Sequence, residues 1–216
     1  MTAGRVERRR VRGSGTAACI IGKRGGAGGE ISRGSRHPDS VGVMPITPDT
    51  KNWTWVLERP CADCGFDSST VTFREVPGLV RANAAAWPAE LTRADAARRP
   101  DDSTWSTLEY GAHVRDVFRI FQTRLRLMLD EDAPTFANWD QDDTATAERY
   151  AEQDPAVVAT ELLEAAEVVA AAFDAVDDDQ LDRTGLRSDG SGFTVESLAR
   201  YFVHDPIHHL HDVRRD

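Results

Sequence analysis

Histidine is concentrated at one end of this chain. The closing stretch "RYFVHDPIHHLHDVRRD" holds His204, His208, His209 and His211, four of the six histidines among 216 residues. On a helix, residues four apart project from one face about a turn from each other, so His204 and His208 can converge on a single ion. The spacing leaves other choices: Asp205, His209 and Asp212 form a parallel stripe, and His211 lies three beyond His208. Catalytic zinc takes three protein ligands and keeps one position open, so a third ligand must come from another element. Of the remaining histidines, His37 sits in a Gly-rich tail and His113 lies among apolar residues in "YGAHVRDVF". A lone histidine there reads as a hydrogen-bonded core residue. Opposite an HxxxH helix it reads as a ligand, because bundle interiors build metal sites from facing helices. The plain alternative is a histidine-rich last helix, frayed and solvated. Pro206 removes an amide donor and crowds the carbonyl of Phe202, which either disturbs this helix or kinks it so as to aim the pair.

Cysteine offers a second motif. Cys61 and Cys64 form a CxxC in "RPCADCGFD", while Cys19 lies in the tail. A closed structural zinc site needs four ligands, so one CxxC leaves three readings open: a Gly-assisted turn carrying two thiols, a metal site completed from elsewhere, or a redox pair. The motif is expected before the first helix, away from the histidines; a ligand from it would close their site.

The elements that must position these groups are helices. Thr72-x-x-Glu75 and Ser106-x-x-Glu109 read as capping boxes. The first leads into "VPGLVRANAAAWPAELTRA", with an apolar stripe of Leu79, Val80, Ala84, Trp87 and Leu91 and a kink expected at Pro88. The second opens "STLEYGAHVRDVFRIFQTRLRLMLDED". Asp154-Pro155, an N-cap followed by proline at the first helical position, starts a third helix. A fourth starts near Thr194, after "RSDGSG". The segment "DAPTFANWDQDDTATAERYAEQ" is a long connection holding one short helix. Strand-like alternation is scarce. The expected fold is all-α, a four-helix bundle with one long crossover, over residues 72–216, preceded by a lead-in at 44–71.

Residues 1–43 carry nine Lys/Arg against three Asp/Glu and ten of the sixteen glycines, while the remainder carries 17 against 33. Such a tail cannot bury enough apolar surface to offset its ordering entropy, and it is expected to be disordered; translation from Met44 would remove it. An acidic body has nothing to neutralise phosphates, which excludes nucleic acid as its partner. No stretch approaches the ~20 apolar residues of a membrane span. Few cysteines and no secretory signal point to a reducing cytoplasm.

"DDSTWSTLEYGAHVRDV", followed much later by "GFTVESLARYFVHDPIHHLHDV", resembles the DinB-like superfamily, the DinB/YfiT-like metalloenzymes, over about residues 70–214. That resemblance implies a four-helix bundle with a His on the second helix and an HxxxH on the fourth binding one divalent metal, here matched to His113, His204 and His208. Zinc is the expected ion, with Ni, Fe or Mn as alternatives. Characterised relatives include enzymes that use mycothiol, bacillithiol or glutathione, such as mycothiol-dependent maleylpyruvate isomerase. There a Glu replaces the first fourth-helix His, a place that falls here to His204. The Ala-, Arg- and Asp-rich composition resembles that of actinobacterial proteins, whose thiol is mycothiol. Coordination deprotonates a thiol and supplies a nucleophile at neutral pH. The reading is therefore a metal-dependent thiol S-transferase. The alternatives are a stress-associated metal-binding bundle without turnover, or an interaction module with incidental histidines. Expected partners are a small thiol and its electrophile, with homodimerisation left open.

Metal-bound histidine donates its second ring hydrogen to a carboxylate or carbonyl. Glu109, Asp116, Asp205 and Asp212 are the candidates for that role. Arg187 and Ser188, just before the fourth helix, are candidates for holding an anionic substrate.

Overall fold

The computed structural model describes residues 52–215; the expectations for the tail at 1–43 and for His37 lie outside the described residues. Helices α1 (Val76–Ala84), α2 (Trp87–Leu91), α3 (Thr107–Asp130), α4 (Gln141–Ala147), α5 (Pro155–Asp174) and α6 (Val195–Arg215) dominate it. Their starts follow the caps. Ser106 accepts from the Glu109 amide while Glu109 accepts from the Ser106 amide at 2.9 Å, and Asp154 accepts from the Ala156 amide ahead of Pro155. Glu75 takes the Thr72 amide at 2.8 Å.

The stretch expected to be one first helix is broken into α1 and α2, with Pro88 in the first turn of the second piece. Asn83, buried at the break, accepts from Trp87 Nε1 and donates to the carbonyl of Pro206 at 2.7 Å. Pro206 lies inside an otherwise continuous α6, and this side-chain bond satisfies one of the carbonyls near it.

α3 packs against α5 and α6, and α1 against the same two. The core between them is apolar and aromatic: Phe118, Phe121, Leu125 and Met128 of α3, Leu162, Val169 and Phe173 of α5, and Phe202 and Val203 of α6. Phe202 stacks on both Phe173 and Phe121, with centroids 5.5 and 4.9 Å away. Burying each such ring contributes roughly 1.5–3 kcal/mol, and Phe202 joins α6 to both α3 and α5.

The fold is not wholly helical as expected. Strand β1 (Thr135–Phe136) pairs in parallel with β2 (Thr184–Arg187), and β2 pairs antiparallel with β3 (Gly192–Thr194). Strands of two to four residues are too short to register as alternation in a sequence. Gly185 of β2 is required: a Cβ there would come within 2.8 Å of Met128 Cγ and 2.9 Å of Phe136 Cε1. The sheet fastens the α3–α5 crossover to the segment that leads into α6. No helix among the described residues is long and apolar enough to cross a membrane.

Candidate metal centres

α6 presents two interleaved i, i+4 pairs, and the structure sends them to different partners. His204 and His208 meet Cys61 and Cys64, with one donor atom from each within 4.8 Å of all the others. Asp205 and His209 meet His113 of α3 under the same criterion. The expected trio of His113, His204 and His208 is therefore parted, and the CxxC lies against the histidines rather than away from them. The reason is rotation: one residue along a helix turns the side chain by about 100°, so the stripe facing α3 is the one that starts at Asp205.

The His113 group is deeply placed. His113 is fully buried, its Nε2 lies 3.2 Å from Asp205 Oδ1, and its Nδ1 has no hydrogen-bond partner among the described residues. Its ring stacks on Trp139 at 5.3 Å and contacts Trp105 at 5.4 Å. His209 Nε2 stands 3.8 Å from the same Asp205 oxygen. Burial holds the His113 imidazole below its ordinary pKa and therefore neutral, despite the pull of Asp205. Burial pushes the Asp205 carboxyl up, yet His113 and His209 outweigh it and hold the group ionised. Two imidazoles and a carboxylate suit a divalent cation with positions left for small ligands. A ring buried among aromatic groups with one nitrogen unsatisfied is costly unless a polar partner arrives.

Asp205 and His209 open on a cavity of about 470 Å³, which His204 and His208 also reach and which is lined besides by Trp53, Arg124, Trp139, Arg187 and Tyr201. Arg187 is bound by Asp189 through Nε at 3.0 Å and donates to Tyr201 Oη at 3.1 Å. Arg124 is different. It is 6% exposed, lies over the Phe121 and Phe136 rings, and donates to the Ala137 carbonyl, with no carboxylate in ion-pair range among the described residues. Burial lowers its pKa to about 10, which leaves it cationic at neutral pH.

The other candidates divide. Asp212 Oδ2 is 3.2 Å from His209 Nδ1 and 3.5 Å from His208 Nε2, the orienting position. Glu109 is committed to the Ser106 cap and Arg99, and Asp116 to Arg115 and the Tyr150 hydroxyl, the latter at 2.6 Å. Arg187 lines the cavity; Ser188 is exposed and accepts from the Asn138 amide at 2.8 Å. Arg124 was not foreseen, although a charge inside the apolar stripe between Phe121 and Leu125 was the signal for it.

Around the cysteines, the chain forms a tight turn. The Cys61 amide donates to the Phe66 carbonyl at 2.8 Å and the Gly65 amide to the Cys61 carbonyl at 2.9 Å, with Gly65 at φ +73°. Cys61 Sγ lies 3.5 Å from His208 Nδ1. His204 is 4% exposed, packs near Trp53 and Phe66 at 5.7 and 5.6 Å, and leaves Nε2 without a partner among the described residues.

A profile of the DinB superfamily matches residues 79–213, and the chain belongs to that superfamily. No curated protein matches the sequence significantly. Among solved structures it is similar to YfiT from Bacillus subtilis, described as "a probable metal-dependent hydrolase with an unusual four-helix bundle topology". The likeness has a TM-score of 0.53 at 20% identity and covers 81% of this chain and 97% of that one; it shows the fold.

Proposed function

We propose that the protein is a metal-dependent enzyme whose divalent cation is held by His113, Asp205 and His209, and which acts on a small anionic molecule. The observation that carries this reading is the juxtaposition of an open three-donor set with a cavity of about 470 Å³ holding a buried guanidinium, Arg124, that has no ion-pair partner among the described residues. A cation bound there supplies Lewis acidity toward a coordinated water or thiol. The protein's own groups do the rest. Arg124 attracts and orients the anionic end of the substrate, with Arg187 reinforcing the positive field across the cavity. Tyr201 receives a hydrogen bond from Arg187, and its own hydroxyl proton has no acceptor among the described residues. Burial holds that phenol above its usual pKa against the opposing pull of Arg187, so it stays protonated and can donate to a developing negative charge. Trp53 and Trp139 exclude water from the walls.

A low-molecular-weight thiol, mycothiol above all, is the co-substrate we favour. With Asp205 in the group, a carboxylate stands four before the last ligand, as the Glu does in the maleylpyruvate isomerase pattern. Hydrolysis is the second reading, supported by the description of YfiT. Zinc-loaded protein should consume mycothiol with an anionic electrophile, and His209→Ala should abolish this. Turnover of carboxylate esters or amides without thiol would select hydrolysis instead, and no bound metal at His113 would sink both.

A further inference from the structure

We propose that Cys61, Cys64, His204 and His208 bind a second ion, zinc, in a closed structural site that fastens the lead-in segment to α6. Four arguments converge. The donor set is two thiols and two imidazoles spaced C-x2-C and H-x3-H, the composition of structural zinc sites. The four donor atoms lie within 4.8 Å of one another. In a tetrahedral site, Zn–S bonds of about 2.3 Å and Zn–N bonds of about 2.0–2.1 Å set neighbouring donors roughly 3.3–3.8 Å apart; Cys61 Sγ and His208 Nδ1 stand at 3.5 Å. Finally, Cys61 is 1% and His204 4% exposed, and His204 Nε2 has no partner among the described residues, so the cluster is buried polar chemistry that packing there leaves unsatisfied.

The site differs in kind from the one at His113. Four protein ligands leave no position for substrate, so the second ion does no chemistry on one. Its work is positional. His204 and His208 lie on the side of α6 turned away from the apolar stripe, where they reach the edge of the cavity and, among the described residues, pack against the segment carrying Trp53, Trp55, Phe66 and the CxxC. An ion linking that segment to α6 fixes the rotation of the helix, and with it the aim of Asp205 and His209, each one residue further on. Both thiols give up their protons to solvent on binding.

Cobalt titration of the full-length, reduced, metal-free protein tests the proposal. We expect two equivalents to bind, one of them with intense near-ultraviolet thiolate-to-cobalt absorption and tetrahedral visible bands. Cys61→Ser/Cys64→Ser should lose those bands and one equivalent, while His209→Ala should keep them and lose the other. Should the double variant fail to fold, the His209→Ala spectrum decides alone. Thiolate bands absent from both wild type and His209→Ala would overturn the second site and leave the His113 site standing. Bands present with only one equivalent in wild type would support it and count against the other. A Cys61–Cys64 disulfide recovered from protein prepared anaerobically with reductant would make the motif a redox pair and end the proposal.

Discussion

His208 and His209 turn opposite ring nitrogens toward one oxygen of Asp212, Nε2 at 3.5 Å and Nδ1 at 3.2 Å. The nitrogens left over face opposite ways: Nδ1 of His208 meets Cys61 Sγ, and Nε2 of His209 lies toward Asp205. A carboxylate that accepts from the rear nitrogen of a ligand fixes its tautomer and raises its basicity. Asp212 does this for His209 and stands within ion-pair range of His208 as well.

Asp212→Asn should therefore weaken metal binding at both sites, each by about 10–100-fold, without unfolding the bundle. Competition against a graded series of chelators measures it. A loss confined to one of the two ions would show that the carboxylate serves only one histidine.

Substitutions along α6 should fall into classes by stripe. His209→Ala and Asp205→Asn should remove the ion shared with His113, and activity with it. His208→Ala should leave that ion weakened but present, and His211→Ala, outside both donor groups, should leave both ions. Elemental analysis separates this from a merely histidine-rich helix, which would give graded losses from all.

Arg124 carries its charge in a nearly closed site at an energetic cost. A buried charge without an ion-pair partner costs free energy, and Arg124 has none among the described residues, so an apolar side chain of similar volume removes that cost. Arg124→Met should thus hold or raise the melting temperature while raising KM for an anionic substrate at least tenfold. A large drop in melting temperature would mean that the bond to Ala137 and the ring contacts outweigh the burial cost, and that Arg124 is structural.

The Asp116 network gives a pH signature. Burial pushes its carboxyl up, but Arg115 and the Tyr150 hydroxyl outweigh this and hold it below the ordinary 3.8. A group with a depressed folded pKa contributes stability above its unfolded pKa and loses it as pH falls through the folded value. In metal-free protein, Asp116→Asn should cost roughly 3 kcal/mol at pH 7, and that penalty should shrink below pH ~3.8. Urea titrations at several pH values check it; an undiminished penalty at the acid end would assign the effect to hydrogen-bond geometry.

Much of the scaffold was legible because its signals are local. Ser106 with Glu109 and Asp154 with Pro155 mark helix starts by chemistry that acts within one turn. The three strands were not, since β1 pairs with a strand about fifty residues further on and no strand exceeds four residues. The site was half legible: spacing identified α6 and His113 but could not choose between stripes, because an i, i+4 relation holds equally for any starting residue. The apolar residues of α6 held the answer. About the direction defined by Phe202, Pro206 and Val213, Asp205 and His209 lie within about 90°, while His204 and His208 lie about 140–180° away. Only the former can face α3, and the latter need a cover, which the CxxC segment provides.

The ladder between β1 and β2 is short: the Leu186 amide donates to the Pro134 carbonyl and the Ser188 amide to the Phe136 carbonyl, both at 2.9 Å. The residues just after it, Asn138 to Asp142, form one wall of the cavity, and Trp139 among them covers His113. That wall can swing outward without disturbing any long helix, by opening those bonds together with the Arg124–Ala137 and Asn138–Ser188 bonds and the Trp139–His113 stack. Such a local excursion costs far less than global unfolding. In deuterated water, the Leu186 and Ser188 amides should therefore exchange well before those in the middle of α3, and an anion lodged against Arg124 should slow them selectively. How often this flap breathes then sets an upper bound on how fast any substrate can come and go.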